Sequence, residues 1–322
     1  MKTAFRLLLV SLLFLGTASL VNAQISEQSP AVTHNTWTSG APLPTAVWQP
    51  AGTAVLKGEI YVVGGRNTDG VGGIPDTQIY NIATNTWSSG VPLPTATEDG
   101  VAAVVKNVLY VIGGYDGTEY TTAVWALNPK TKTWSSKSPM PTLRDSMGVA
   151  VVNNMIYVIG GEINGTRLNT VESYNPANDT WTEQAPLLLG KSEPTVGLVG
   201  KTIVAADGFS GSDNGDNEEY NTTTNVWTSL KADPTGRNEA CGGGIGSMLY
   251  VAGGYPAGGS GTPAFDLTES FKPSKKTWTT LAPLPQAIMG AGSAVYKGKL
   301  YCIGGTSTYL GTVLDNVQIY QP

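Results

Sequence analysis

The sequence predicts an all-β fold, a six-bladed β-propeller built from four-stranded antiparallel blades. Three observations support this prediction: Gly-Gly pairs that end apolar runs, a Trp that recurs every 46 to 51 residues, and incomplete units at both ends of the chain. A fixed period of this length is typical of repeat proteins, in which each unit buries one face against its neighbours.

The glycine pairs mark the end of the second apolar run of each unit. They are Gly64-Gly65, Gly113-Gly114, Gly160-Gly161, Gly253-Gly254 and Gly304-Gly305, and Asp207-Gly208 stands in the fourth position. Glycine is expected where the backbone takes a positive φ, or where another part of the molecule comes too close for a side chain.

Four short strands per unit are expected, arranged as a meander. In the first unit, residues 51–56 and 59–63 flank a turn at Lys57-Gly58, and residues 77–80 and 85–88 follow the loop after the glycines. Short apolar runs separated by turn residues are typical of strands. One four-stranded sheet cannot cover both of its faces, so the units are expected to pack side by side around an axis.

An aromatic residue precedes the recurring Trp by seven positions in most units. The pairs are Tyr80 and Trp87, Tyr174 and Trp181, Tyr220 and Trp227, and Phe271 and Trp278, while Leu127 precedes Trp134. These rings are expected to fill the wedge between neighbouring blades, where each buried ring contributes roughly 1.5–3 kcal/mol.

The two chain ends predict how the propeller closes. Residues 35–39 contain Trp37 and form a Trp strand that lacks the three strands found before it elsewhere. The last unit ends after residues 317–320 without a Trp strand. The N-terminal strand is therefore expected to complete the last blade, which removes an open sheet edge.

The Gly-Gly, Tyr and Trp spacing resembles the kelch repeat family of β-propellers, over essentially the whole chain from Trp37 to Tyr320. The resemblance implies a fold rather than an activity, because one architecture hosts many functions. The family's pattern often places Arg at the start of the first strand of a blade. Arg144 and Arg237 match this pattern, and Lys191 nearly does.

The N-terminus predicts an exported protein, secreted or periplasmic. Lys2 and Arg6 precede or flank an apolar stretch at residues 7–15, and small residues at 21–23 offer a cleavage site. This pattern is typical of a secretory signal peptide, and the stretch is too short for a membrane span. The expected organisation is a signal peptide at 1–23, a short lead at 24–34 and the propeller at 35–322.

The charge of the chain argues against nucleic acid as a partner. The formal net charge is −5, and removing residues 1–23 takes away Lys2 and Arg6 and no acidic residue, which leaves −7. Binding to phosphate backbones requires a basic surface instead. The expected molecule is a monomer without a membrane span, and its partner is a protein or a small polar or anionic ligand such as a carbohydrate.

The ligand is expected at one mouth of the propeller. In an antiparallel meander, the loops after the second strands and the segments before the first strands open on the same face. Aromatic and charged side chains there form a mixture that recognises polar ligands. The candidate ligand-binding residues are Trp48, Arg66, Glu98, Tyr115, Arg144, Asp145, Lys191, Phe209, Arg237 and Tyr255.

Three basic residues on consecutive blades, Arg144, Lys191 and Arg237, favour an anionic or carboxylate-bearing ligand. Charges near loops also simply face water or pair with neighbouring blades. For any single residue, both interpretations stay open.

Catalysis is the alternative to simple binding. The sequence has no nucleophile-elbow motif, and its one His, His34, lies in the N-terminal lead, so neither a metal nor a cofactor is expected. This departs from kelch-type copper oxidases, which need histidines. Some exported kelch propellers resemble sugar mutarotases, which leaves a cofactor-free, sialic-acid-type epimerase open. Its cation and proton carrier would be Arg237 with Glu239, or Lys191 with Glu193. A purely structural scaffold is the third hypothesis.

Two further features leave alternatives open. Cys241 and Cys302 fall on strands of adjacent units and form either a disulfide or two buried thiols. The acidic loop at residues 213–219 could hold Ca²⁺, but it does not match the helix–loop–helix calcium motif, and a solvated run of charges is the alternative.

Overall fold

The structure, a computed structural model, describes residues 34–67, 73–212, 215–256 and 261–322. Over these ranges the strands form six four-stranded antiparallel sheets and one two-stranded hairpin. The predicted six-bladed β-propeller is confirmed. The expected signal peptide lies outside the described residues. No helix within the described ranges is long and apolar enough to cross a membrane.

The strands follow one another in chain order within the blades. The chain first forms β1 (Thr36–Ser39). Blade one contains β2 (Gly52–Leu56), β3 (Glu59–Val63), β4 (Thr77–Asn81) and β5 (Thr86–Ser89). Blade two contains β6 (Val101–Val105), β7 (Val108–Ile112), β8 (Val124–Asn128) and β9 (Thr133–Ser136). Blade three contains β10 (Gly148–Val152), β11 (Met155–Ile159), the separate hairpin β12 (Glu162–Ile163) and β13 (Thr166–Arg167), then β14 (Val171–Asn175) and β15 (Thr180–Glu183).

The second half of the chain repeats this arrangement. Blade four contains β16 (Thr195–Val199), β17 (Thr202–Ala206), β18 (Asn217–Asn221) and β19 (Val226–Ser229). Blade five contains β20 (Cys241–Ile245), β21 (Met248–Ala252), β22 (Thr268–Lys272), a short 3₁₀ helix (Pro273–Lys275) and β23 (Thr277–Thr280). Blade six contains β24 (Gly292–Tyr296), β25 (Lys299–Ile303), β26 (Val317–Gln321) and, as its fourth strand, β1.

The aromatic residue on the third strand of a blade is buried between sheets, as expected. Five such rings are at most 2% exposed: Tyr80, Tyr174, Tyr220, Phe271 and Tyr320. The recurring Trp adds a contact that the sequence analysis did not anticipate, because its Nε1 donates to a carbonyl in the segment that leaves the preceding blade. These hydrogen bonds join Trp37 to Ala282, Trp87 to Ala41, Trp134 to Val91, Trp181 to Ser138, Trp227 to Ala185 and Trp278 to Lys231.

The glycine pairs allow the next blade to approach. Gly160 has a φ of 65°, and a Cβ at this position would lie 2.5 Å from the backbone oxygen of Lys191 in the following blade. The neighbouring Gly161 donates its N–H to that same oxygen at 2.9 Å. Both the positive φ and the close contact therefore require glycine.

The predicted closure of the last blade is confirmed. β1 pairs antiparallel with β26, and this register places Trp37 opposite Tyr320. The two rings lie 5.0 Å apart between centroids, the same distance as Tyr80 and Trp87 in blade one. The Tyr320 hydroxyl donates to Asn35 Oδ1 at 2.7 Å, as the third-strand Tyr does within other blades. The N-terminal strand therefore reproduces the fourth strand of an ordinary blade.

A disulfide joins Cys241 on β20 to Cys302 on β25, so the alternative of two free thiols is excluded in this structure. The bond connects blades five and six, and its cysteines are 61 residues apart in the chain. Both cysteines are buried among the apolar residues between these two blades. The cross-link thus reinforces the blade interface next to the closing blade.

We expect removal of this disulfide to destabilise the propeller. Cross-linking a loop of this length stabilises a protein by about 4 kcal/mol on the chain-entropy model, so the Cys241→Ala/Cys302→Ala variant should lose about 2–4 kcal/mol of unfolding free energy. Chemical denaturation with and without reductant measures this loss. The double alanine variant is the control, because it has no disulfide and reductant should not shift its denaturation midpoint. A wild-type midpoint that is insensitive to reductant would contradict the prediction.

Candidate functional site

One end of the propeller is built from two sets of segments, as the sequence predicted. The segment that leads into each first strand forms a single β-bridge with the residue just after each glycine pair. The bridged pairs are Trp48 and Arg66, Glu98 and Tyr115, Asp145 and Glu162, Ser192 and Phe209, Asn238 and Tyr255, and Met289 and Thr306. We call this end of the propeller the mouth.

Each lead-in segment contributes three consecutive residues with different roles. The first residues form a buried column that consists of Val47, Thr97, Arg144, Lys191, Arg237 and Ile288, all at most 3% exposed. The second residues form a wall column that consists of Trp48, Glu98, Asp145, Ser192, Asn238 and Met289. The third residues form an axial ring that consists of Gln49, Asp99, Ser146, Glu193, Glu239 and Gly290, all with a positive φ between 48° and 61°.

The three basic candidates belong to the buried column, which corrects the expectation that they face a ligand. Arg144 NH1 lies 2.7 Å from Glu172 Oε2 in its own blade. Lys191 Nζ lies 3.3 Å from Glu218 Oε1, and Arg237 pairs with Glu269. These three side chains are fully buried and absent from the lining of the mouth.

The position of Trp48 also differs from the prediction. Counting back a fixed distance from the glycines aligns Trp48 with Arg144, but Val47 is the true equivalent, because its carbonyl accepts from Gly305 N–H as that of Arg144 accepts from Gly114 N–H. Blade one carries one extra residue between its ring position and β2. Trp48 therefore lies in the wall column and faces the cavity.

The axial ring is held together by its backbone. Five of the six left-handed residues donate their N–H to the carbonyl of the ring residue in the preceding blade, from Asp99 to Gln49, Ser146 to Asp99, Glu193 to Ser146, Gly290 to Glu239 and Gln49 to Gly290. Glycine is required at Gly290, because a Cβ there would lie 2.1 Å from Trp48 Nε1. The indole fills that space and donates to Glu239 Oε2 at 3.1 Å.

The mouth encloses a cavity of about 890 Å³. Six of the predicted ligand-binding residues line it: Trp48, Arg66, Tyr115, Asp145, Phe209 and Tyr255. Glu193 and Glu239, named for catalysis, line it as well. Glu98 is buried beneath the surface and lies 2.7 Å from Arg66 Nε, so it positions Arg66 without lining the cavity.

Several lining residues were missed by the sequence analysis. Tyr120 and Tyr309 come from loops of variable length after the glycines, which have no fixed spacing. Arg167 reaches the cavity on the hairpin β12–β13, whose turn is Asn164-Gly165 with both φ values positive. Asn-Gly between two strands is a strong hairpin signal and could have revealed this element.

The pairings proposed for an epimerase do not form. Arg237 is buried in blade five, whereas Glu239, two residues later, faces the cavity. Lys191 likewise pairs away from the mouth, although Glu193 lines it. Residues two apart in an extended segment would face the same side, but Glu239 and Glu193 have a left-handed backbone, which breaks this alternation.

Burial raises the pKa of the carboxyl groups that converge at the mouth. The pKa of Asp145 is raised to about 7 by burial and by the nearby charge of Glu162. Burial also raises the pKa of Glu239 to about 7, against the opposing effect of its hydrogen bond with Trp48. Such shifts are a property of functional sites more often than of structural surfaces.

We expect Glu239→Gln to stabilise the protein at high pH. In the folded protein the pKa of Glu239 is raised from its usual 4.5 to about 7. Between these two pH values the folded protein keeps a proton that the unfolded chain has released. The free energy of unfolding of the wild type therefore falls as the pH rises through this range, from 4.5 to about 7. The variant has no carboxyl group to titrate at this position. Its free energy of unfolding should therefore exceed that of the wild type by an amount that grows from near zero below pH 4.5 to about 2–3 kcal/mol above pH 7.

Denaturant unfolding from pH 4 to pH 8.5 measures this difference. Glu183→Gln is the matched control, because Glu183 is exposed on the outer strand β15. The pH profile of the control variant serves as the baseline. A Glu239→Gln difference with the same pH profile as this baseline would contradict the prediction.

A metal site finds no support in the geometry. Within the described ranges, no group of three or more His, Cys, Asp or Glu residues could hold a metal ion. The acidic loop considered for Ca²⁺ includes residues 213 and 214, which lie outside the described residues. Of its remaining members, Asn217, Glu218 and Glu219 belong to β18, and Glu218 pairs with Lys191.

Comparisons with known proteins agree with the repeat pattern. A family model described as the KLHDC2/KLHL20/DRC7 Kelch-repeats domain matches residues 31–195, half of the chain, and the Kelch motif model matches residues 288–322. Kelch-like protein 35 of Mus musculus is 41% identical over 54 residues, 17% of this chain and 9% of that protein. Kelch-like protein 23 of Homo sapiens is 32% identical over 56 residues, 17% of this chain and 10% of that protein. The chain thus matches about a tenth of the length of these relatives.

A solved structure entitled "Structure of YjhT" has a similar fold. It aligns with a TM-score of 0.73 and 17% sequence identity, over 87% of this chain and 96% of that one. At this identity the similarity concerns the fold alone.

Proposed function

The chain belongs to the kelch-repeat family of β-propellers, and on that premise we propose that it is a non-catalytic binding module that holds a polar ligand or a protein segment in its mouth. The observation that carries this proposal is the cavity of about 890 Å³, which is lined by aromatic and charged side chains. Ligand pockets of proteins usually have volumes of about 300–1,000 Å³.

The construction of the mouth supports the proposal. Loops on a rigid scaffold commonly carry binding residues, and here the axial ring ties the lead-in segments of neighbouring blades together. Aromatic rings meet in the lining of the cavity: Tyr255 and Tyr309, from loops of blades five and six, stack with centroids 5.5 Å apart, and Tyr115 and Tyr120, from one loop of blade two, also lie 5.5 Å apart. Large rigid rings provide contact area at a low cost in conformational entropy.

The proposal is tested by selection on the immobilised protein. Random peptides displayed on phage, and an array of neutral and charged glycans, are exposed to the wild type and to a Tyr120→Ala/Phe209→Ala variant. Both residues line the cavity. The control is Lys201→Ala, on the exposed β16–β17 turn at the opposite end of the blades. We expect ligands that bind the wild type and the control but not the mouth variant. Ligands that bind all three proteins equally would place the site elsewhere.

A cofactor-free carbohydrate epimerase is the second candidate function. The observation that favours it is the pair of mouth carboxyls, Asp145 and Glu239, whose pKa of about 7 suits proton transfer at neutral pH. Anomer exchange measured by NMR, with sialic acid and neutral aldoses as substrates, tests this candidate. If anomers exchange no faster with the protein than in buffer alone, the epimerase function is excluded for these sugars.

We also propose that the protein is exported after cleavage before Gln24. The disulfide between Cys241 and Cys302 supports this proposal, because structural disulfides persist mainly in oxidising compartments. Expression of the full chain with fractionation and N-terminal sequencing tests it. A mature protein that begins at Met1 and stays inside the cell would contradict it.

A further inference from the structure

The charges that line the mouth are mostly negative. Within the described residues, two guanidinium groups line the cavity, those of Arg66 and Arg167. The carboxylates that line it are Asp99, Glu119, Asp145, Glu162, Glu193 and Glu239. This excess of negative charge disfavours the anionic ligand that was expected from Arg144, Lys191 and Arg237.

Both arginines are already engaged by the protein. Arg66 Nε lies 2.7 Å from Glu98 Oε2, and its guanidinium lies 5.2 Å from the centre of the Trp48 ring. Arg167 Nε lies 3.5 Å from Glu162 Oε2, and its guanidinium lies 4.4 Å from the centre of the Phe209 ring. An anionic ligand would therefore meet guanidinium charges that protein carboxylates already offset.

Four of these carboxylates are absent from every ion pair within the described ranges: Glu119, Asp145, Glu193 and Glu239. Glu119 is exposed to solvent, whereas the other three are buried or half-buried. Asp145 is only 9% exposed, and its Oδ1 is buried in the cavity wall without a hydrogen-bond partner. Ser146 hydrogen-bonds the Asp145 carboxyl group, but a buried carboxylate oxygen without a partner is costly. An incoming cation would supply the missing partner.

Aromatic side chains stand next to Glu239. Glu239 accepts hydrogen bonds from Trp48 Nε1 at 3.1 Å and from Gln49 Nε2 at 3.3 Å. The Trp48 ring meets the Tyr309 ring edge-on at 6.1 Å, and Tyr309 stacks on Tyr255. Carboxylates combined with aromatic faces recognise ammonium and guanidinium groups, through charge-assisted hydrogen bonds and cation–π contacts.

We infer that the mouth binds a cationic ligand, whose ammonium or guanidinium group is held by Asp145, Glu193 and Glu239 between the aromatic walls. This inference rests on the proposed function and names the ligand class for the same site. It replaces the anionic ligand expected from Arg144, Lys191 and Arg237, which are buried. The same group could belong to a basic side chain of a protein or to a small polyamine.

Calorimetric titration at pH 8 and low salt distinguishes these sources. The probes are a blocked tetra-lysine peptide, spermidine and a blocked tetra-glutamate peptide. We expect tetra-lysine to bind the wild type and tetra-glutamate not to bind. Spermidine that binds as tightly as tetra-lysine indicates a small polyamine, whereas much weaker spermidine binding indicates a protein segment. Either result supports a cationic ligand.

The variants Asp145→Asn and Glu239→Gln should each weaken cation binding by about tenfold or more, because a charge-assisted hydrogen bond is lost. Glu183→Gln removes the same charge from an exposed outer strand and should leave binding unchanged. Thermal unfolding of each variant verifies that it is folded. Equal weakening by all three variants would indicate unspecific attraction and overturn the inference.

Other outcomes separate this inference from the proposed function. Binding of tetra-glutamate alone, or of none of the three probes, overturns the cationic ligand. The peptide and glycan selection then decides independently whether the mouth binds anything. Lysine- or arginine-rich peptides in that selection support both proposals, whereas acidic peptides lost on the mouth variant support the binding module and refute its cationic ligand.

Discussion

Replacing Arg144 by Val is expected to lower the free energy of unfolding by about 3–5 kcal/mol, because the change leaves the buried carboxylate of Glu172 without its cation. Arg144 is fully buried, and besides Glu172 it donates to the carbonyl of Thr142 at 3.2 Å. Denaturant unfolding at pH 7.5 measures the loss. A variant as stable as the wild type would show that the pair is dispensable.

The repeats themselves provide the matched control. In blade one, Val47 occupies the position of Arg144, and Gln78 occupies the position of Glu172. Gln78 there binds both the N–H and the carbonyl of Thr45. The double variant Arg144→Val/Glu172→Gln copies this neutral arrangement and should recover most of the lost stability. Failure to recover would mean that the cost comes from lost packing rather than from an unpaired charge.

Deletion of residues 34–40 is expected to have an effect at least as large. It removes β1, exposes the edge of β26 and uncovers Tyr320, which is 1% exposed in the intact protein. Trp37 is half-buried on this ring, so the loss of its packing costs less than the roughly 3–5 kcal/mol of a fully buried Trp→Ala change, and the lost pairing of β1 with β26 adds to this cost. The open edge should also promote association. Thermal unfolding and light scattering measure both effects.

A permuted chain keeps this prediction falsifiable. Its sequence starts at residue 41 and runs to Pro322. A copy of the turn between β4 and β5 of blade one then connects Pro322 to residues 34–40, which form the new C-terminus. The ends permit this connection, since His34 Nδ1 lies 2.6 Å from the backbone oxygen of Pro322. The permuted protein should be monomeric and about as stable as the wild type. A deletion variant that matches it in both respects would show that β1 is not needed for closure.

The buried arginines could have been recognised from the sequence by a comparison of the repeats with one another. Glu occupies the second position of the third strand in the three blades that carry Arg or Lys in the buried column. In the other three blades this position holds Gln78, Trp125 and Gln318. A charge that recurs only together with an opposite charge indicates a buried pair rather than a ligand contact.

Other parts of the site had no such signal. The extra residue that moves Trp48 into the cavity wall is a local insertion, and fixed spacing from the glycines cannot reveal it. Tyr120 and Tyr309 come from loops whose lengths differ between blades, so nothing in the repeat indicates that they reach the mouth. The pairing of Cys241 with Cys302 depends on the distance between two blades, which strand order alone does not determine.

The sequence by itself determined the architecture of this protein: the number of blades, their strand order and the completion of the last blade by the first strand. It could do so because glycines, turns and aromatic rings recur at a fixed period, and each repeat unit favours the same four-stranded structure. The tertiary structure alone decided the character of the mouth. A shift of one residue along an extended segment carries a charge from the cavity into the interior, and only the packing of neighbouring blades determines which of the two it faces.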